Sequence, residues 1–184
     1  MKCTSCKTGN LRPHFIDSLF RAHTCDNCEG SWVLVEDFLS WKELNPEYEF
    51  AEKVAYETDD NDSTHALLCP VTGALMTKCK ITAQSSHRID YSVSVGGIWL
   101  DKGEWQLLKN EGLAGHLNTL VTQSWQNKVR DQTTRDNFGD MYLQQFGEET
   151  YQKIQDMREW LQAQPQKAEI RSYLLAEDPY SARR

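Results

Sequence analysis

Cys3-Thr-Ser-Cys6 and Cys25-Asp-Asn-Cys28-Glu-Gly-Ser-Trp32, with eighteen residues between the two cysteine pairs, decide how this chain folds. A Cys-x-x-Cys pair on a tight turn aims two sulfurs at a common point. Two such pairs at this separation read as a single four-thiolate metal site in a reducing compartment. Four thiolates in a tetrahedron suit Zn²⁺, which has no geometric preference from its d electrons. With four protein ligands no coordination position is left for water or substrate, so a metal here builds structure and does no chemistry. A mononuclear iron site uses the same ligands. The residues after each pair, Lys7-Thr-Gly and Glu29-Gly-Ser, favour zinc.

Outward from the cysteines, the composition is that of an ordinary soluble protein. The 184 residues are 39% hydrophobic and 26% charged, with no apolar run of membrane-spanning length. The N-terminus has no hydrophobic stretch of the kind a secretory signal needs, so the expected location is cytoplasmic. A reducing compartment in turn favours metal over disulfides. The net charge of -7 is uneven: Pro46 to His65 holds seven acidic residues against one Lys. That stretch reads as an acidic linker, 46–65, with too few apolar residues in its second half to pack. Broad positive charge for DNA or RNA is absent. Lys78, Lys80, Arg88 and Lys102 could supply a local basic cluster, which keeps nucleic acid as an alternative partner.

An internal repeat changes the reading of the middle. Ser92-Val-Ser-Val95-Gly-Gly-Ile-Trp99 aligns with Cys25-Asp-Asn-Cys28-Glu-Gly-Ser-Trp32, and Cys69-Pro-Val-Thr72 falls opposite Cys3-Thr-Ser-Cys6. The first Cys and the Trp are 29 residues apart in one copy and 30 in the other. Three of the four ligand positions in the second copy hold Thr72, Ser92 and Val95, so residues 66–110 are expected to form a ribbon-like antiparallel module without metal. The alternation in Met76–Ala83 and Arg88–Val95 predicts strands, with Ile89, Tyr91, Val93 and Val95 on one face. Gly30 and Gly97 are expected to permit the turn out of the ligand loop. Trp32 and Trp99 are expected to cover the site or its replacement. Asp101-Lys-Gly-Glu104 reads as a reciprocal helix cap.

From residue 111 onward the period becomes helical. Leu113, Leu117, Leu120, Val121, Trp125 and Val129 recur at helical spacing, then Phe138, Tyr142 and Phe146 up to a break near Gly147. Tyr151, Ile154, Met157, Trp160 and Leu161 mark a further helix that Pro165 ends, and Ala168–Ala176 a last one before Pro179. These stripes are most simply an internal core, and are also candidates for self-association.

The cysteine pairs, together with Val95-Gly-Gly-Ile-Trp-Leu-Asp-Lys-Gly-Glu-Trp105, resemble the transcription factor IIB-type zinc ribbon found in many bacterial proteins. That family ends in Cys-x-x-Cys-Gly-Gly-x-Trp-Leu-Asp-x-Gly-Glu. The second copy keeps this ending without the cysteines; the first keeps the cysteines and departs after Trp32. The resemblance implies a zinc-ribbon fold over roughly residues 1–110, with one zinc on Cys3, Cys6, Cys25 and Cys28. It does not imply a role in transcription, because a shared fold does not carry a task.

The expected architecture is therefore α+β. It comprises a zinc ribbon (1–45), the linker (46–65), the metal-free module (66–110) and a helical region (111–184). The expected function is non-enzymatic: the ribbon acts as a mobile recognition head that recruits a protein partner through Phe15, Phe20 and Trp32. Removing zinc should then unfold residues 1–45 and spare the helices. Cys69, Cys79, His65 and His87 lack paired spacing, so they read as ordinary thiols and imidazoles rather than a second metal site. His14 and His23 read as surface or supporting residues. An enzyme with Cys69 or Cys79 beside His87 matches no nucleophile motif.

Overall fold

The computed structural model describes residues 1–50 and 65–181. The first strands are β1 (Leu11–Ile16), β2 (Phe20–Cys25) and β3 (Ser31–Leu34), followed by helix α1 (Val35–Leu44). Strands β4 (Thr77–Lys80), β5 (Arg88–Ser92) and β6 (Gly97–Leu100) follow, then α2 (Glu104–Asn110). The rest is helical: α3 (Leu117–Leu120), α4 (Gln123–Phe146), α5 (Glu148–Gln162) and α6 (Lys167–Leu175). The expected classes and their order are all present. Of the acidic linker, 51–64 lie outside the described residues. Its first residues are ordered: Tyr48 and Phe50 pack their rings on Trp41 at 5.2 and 5.7 Å.

The six strands form one antiparallel sheet in the order β1-β2-β3-β6-β5-β4. Its centre is the pairing of β3 with β6, in the register Ser31↔Leu100, Trp32↔Trp99, Val33↔Ile98 and Leu34↔Gly97. This overturns the mobile recognition head, because the cysteine-bearing strands are bonded edge to edge with the metal-free ones. A strand at the end of a small ribbon presents unpaired N–H and C=O groups, and pairing with a second such strand satisfies them. Residues 1–45 and 66–110 accordingly fall in one compact unit, Met1–Thr133, with Thr134–Arg184 as the other.

The backbone of the second module parallels that of the first at several points. Cys3 N–H donates to Gly9 C=O at 3.0 Å, and Cys69 N–H to Ala74 C=O at 2.7 Å. Leu11 N–H donates to Met1 C=O, and Met76 N–H to Leu67 C=O, at 2.8 and 2.9 Å. Lys7 and Gly73 share a left-handed backbone (φ 60° and 70°), as do Glu29 and Gly96 (both 61°). The chain therefore makes related turns with and without cysteines, the first turn of the second module being one residue shorter.

Each face of the sheet has its own core. On one, Phe20, Val33, Ile89, Ile98 and Leu100 meet Phe38 of α1, Leu108 of α2 and Leu117 and Leu120 of α3, all fully or almost fully buried. On the other, Trp32 and Trp99 lie among Cys3, Leu11, Cys25, Leu67, Cys69 and Met76. Here Gly30 and Gly97 have a different purpose from the one expected. Neither has a positive φ. A Cβ on Gly97 would stand 2.8 Å from Cε2 of Trp32, with Cζ2 nearer still; a Cβ on Gly30 would stand 3.0 Å from Cε2 of Trp99. Each glycine is the seat of the other module's tryptophan.

Three local expectations need correction. Strand β5 stops at Ser92, so Val93 points to solvent at 73% exposure instead of joining Ile89 and Tyr91. Only half of the reciprocal cap forms: Glu104 accepts from Asp101 N–H at 2.7 Å, but the Asp101 carboxylate accepts from Trp99 Nε1 at 2.7 Å and leaves the helix uncapped. The helical stripe is a core only as far as Val129. Leu117, Leu120 and Val129 are buried, yet among the described residues from Thr134 to Ser181 no side chain is.

Candidate metal centre

Two turns and one strand end position the four cysteines. Cys3 and Cys6 flank the turn before β1, Cys25 closes β2, and Cys28 follows in the turn to β3. The Sγ atoms of Cys3 and Cys28 are 3.6 Å apart, and those of Cys6 and Cys25 are 3.7 Å apart. All four lie within 4.8 Å of one another. A zinc tetrathiolate with Zn–S near 2.3 Å has sulfurs about 3.8 Å apart. The donor set and its spacing fit zinc. Among the described residues this is the one cluster that could hold a metal, consistent with a single structural zinc per chain. None of the six cysteines forms a disulfide.

Backbone amides are aimed at the sulfurs. Gly9 N–H donates to Cys6 Sγ at 3.3 Å, while Asn27 and Cys28 N–H donate to Cys25 Sγ at 3.4 and 3.5 Å. Such bonds stabilise thiolate and hold the ligands in orientation. Gly9 is required by close approach, since a Cβ there would overlap Cys25 Sγ and come within 2.8 Å of Asn27 Cβ. The thiols differ in acidity. The Thr8 hydroxyl draws Cys6 down to about 5, whereas burial pushes Cys28 up to about 11 and Cys3 higher. Binding a dication requires all four as thiolates, so loading the site releases protons and weakens in acid.

The equivalent place in the second module is a polar nest closed by a methyl-bearing side chain. Thr72 Oγ1 and Ser92 Oγ lie 3.3 and 3.1 Å from Ser94 Oγ, and Val95 packs against the cluster that includes Cys69. Burial raises the Cys69 thiol, but hydrogen bonds from Ser92 and Thr72 outweigh it and leave it lowered. The Thr4 hydroxyl donates to the carbonyl of Leu68, tying the first knuckle to the second module. Cys69 and Cys79 are both buried and belong to no ligand cluster among the described residues. Burial, then the charge of Asp90, push the Cys79 thiol up to about 11, away from the thiolate form that attacks.

The three contact candidates separate. Phe15 is 53% exposed, but Phe20 and Trp32 are each 2% exposed and belong to the two cores, so neither can meet a partner. The sequence pointed to them as large aromatics near the metal and carried no sign that α1 and the second module would cover them. The basic cluster also fails to assemble as a free patch. Lys78 pairs with Asp90 at 3.0 Å, and Lys102 pairs with Glu29 at 2.9 Å. Lys80 Nζ donates to Ala83 C=O and Thr133 Oγ1 at 2.7 and 3.2 Å.

A four-cysteine site on two knuckles, both at the open end of the β1–β2 hairpin where Leu11 pairs with Cys25, defines a zinc ribbon. Residues 2–44 match the model of a family described as transcription factor zinc-finger, the TFIIB-type zinc ribbon. The N-terminal segment is therefore a ribbon of that type with a four-cysteine metal-binding cluster. No curated protein and no solved structure matches the chain. No helix among the described residues is long and apolar enough to cross a membrane.

Proposed function

We propose that this chain is a non-catalytic interaction protein built from two copies of one ribbon, and that it binds a protein partner through the β1–β2 hairpin. In this reading residues 66–110 are the copy that lost its metal, and the acidic stretch 46–65 is a connector between copies. Zinc holds the hairpin's knuckles; the metal-free copy supplies the rest of the sheet. A closed tetrathiolate offers no site for substrate, which favours binding over chemistry.

The observation that carries this reading is Phe15, 53% exposed on edge strand β1 and paired in register with Arg21. Large apolar side chains beside Arg are typical of interface anchors. The hairpin, residues 11–25, holds Arg12 and Arg21 against one acidic residue, Asp17, in a chain of net charge -7, with Arg12 also paired to Asp26 at 3.4 Å. Asp17 is itself held by Lys109 at 2.6 Å. This charge suits an acidic protein surface. Pro13, in the same edge strand, removes an N–H and guards against indiscriminate strand addition.

Deleting residues 1–45 would break the sheet, so point variants are the proper test. Quantitative affinity capture would compare zinc-loaded wild type with Phe15→Ala and Arg21→Glu. Partners retained by the wild type and lost in both variants are expected. Identical partner sets in all three would refute a contact through this hairpin.

A further inference from the structure

We propose that the C-terminal helices, α4 from Thr134 onward with α5, form an antiparallel two-fold interface with a second copy of this chain, centred on Tyr142. The 48 residues from Thr134 to Ser181 contain helices but no buried side chain among those described. Short isolated helices are marginal in water, and most of their stability comes from packing an apolar face. Here that face is present and uncovered. Phe138, Tyr142 and Phe146 stack along α4 with ring centroids 6.4 and 5.7 Å apart. Met141 and Leu143 flank them, and Met157 and Trp160 extend the apolar surface on α5; all seven are 39% to 53% exposed.

Charge points to a second copy. Aromatic side chains bury about 150–250 Å² each when fully covered. At these exposures the three rings that line the groove offer about 250 Å² of apolar centre, so most of the roughly 800 Å² per partner in a specific interface would come from the polar rim around them. The ladder is also self-complementary. An antiparallel two-fold through Tyr142 sets Phe138 opposite the second copy's Phe146. The same operation brings together unlike charges. Arg135 and Arg158, with Glu159 beside them, line one end of the groove between α4 and α5. Glu148 and Glu149 stand at the other end, directly after Gly147, with Glu149 also paired to Lys153 at 2.7 Å. At 1.5 Å rise per residue Arg135 lies about 10 Å from Tyr142 and the end of α4 about 6 Å away on the other side, so the two-fold sets a net basic end beside a net acidic one. A parallel arrangement would put like charges together.

Sedimentation equilibrium on the full-length, zinc-loaded protein tests this. The expected species has twice the 21.3 kDa chain mass. Tyr142→Asp should be monomeric, with zinc content unchanged as the control for folding. Arg135→Glu, and separately Glu148→Lys with Glu149→Lys, should each raise the dimer dissociation constant by about tenfold or more; the combined triple variant should return to within about threefold of wild type. A wild type that stays monomeric at about 100 µM, well above the micromolar constants expected of a standard interface, would overturn the proposal. So would a dimer that Tyr142→Asp does not dissociate, or charge reversals that fail to compensate.

Discussion

Gly97→Ala adds one methyl group far from every zinc ligand in sequence, and should nevertheless loosen the zinc. The new Cβ would stand 2.8 Å from Trp32 Cε2, with Cζ2 closer. Carbon atoms in contact sit about 3.5–4.0 Å apart, so the indole must move by about 1.5 Å or more, or β6 must withdraw from β3. Trp32 is 2% exposed and packed among Cys3, Cys25 and Trp99, which leaves it nowhere to go. Overpacking a core costs about 1–3 kcal/mol, and a rigid ring pressed on a strand belongs at the upper end. About 3 kcal/mol corresponds to roughly 10 °C in Tm for a unit of this size. The neighbour provides the control. Gly96→Ala meets nothing within 4 Å but sits at φ 61°, so it should cost only about 1 kcal/mol in backbone strain. Calorimetry gives the Tm values, and chelator competition gives the zinc-release rate. Gly97→Ala should lower the melting temperature more than Gly96→Ala and speed zinc release; Trp32→Leu combined with Gly97→Ala should cost less than the two separately. A Gly97→Ala protein that melts lower yet releases zinc at the wild-type rate would refute the reasoning.

Other expectations follow from the same contacts. Wild type should bind one zinc per chain by elemental analysis, and Cys25→Ser should lose it together with the cooperative transition of the sheet. If the second module is a ribbon without ligands, Thr72→Cys, Ser92→Cys and Val95→Cys together, beside Cys69, should raise the stoichiometry to two; it stays at one if the knuckle turns cannot converge. Burial raises the Asp17 carboxyl, but the hydrogen bonds from Lys109 and Trp105 and the Lys109 charge outweigh it and leave it below the usual range. Its stabilisation is thus complete above the unfolded carboxyl value of about 3.9 and disappears as pH falls through the lower folded one. Asp17→Asn should remove about 1 kcal/mol at neutral pH and flatten the acid limb of the stability profile below the unfolded carboxyl value, which urea titrations at several pH values would show.

What the sequence made legible was local. Cysteine spacing named the metal centre, because four ligands at two knuckles need only short-range geometry. Pro165, Gly147 and Pro179 marked helix ends close to those observed, since each acts on its own backbone. The match of Gly30 with Gly97 and of Trp32 with Trp99 was visible, but its meaning was not. No periodicity shows that a tryptophan will sit on a glycine sixty-five residues away. For the same reason Phe20 and Trp32 read as surface candidates and proved to be core: α1 and Trp105 of α2 cover Phe20, and β6, a long way along the chain, covers Trp32. Lys78 and Lys102 read as free charge because Asp90 and Glu29, their partners, approach only across strands and turns.

The most direct test of the account is hydrogen exchange with and without a zinc chelator. In the sheet described here β3 and β6 share one ladder, with Trp32 opposite Trp99. Chelation should therefore deprotect the amides of Gly97–Leu100 together with those of β2 and β3. Loss of protection confined to the cysteine-bearing strands, with β6 as protected as before, would contradict a single sheet held together by zinc at one end.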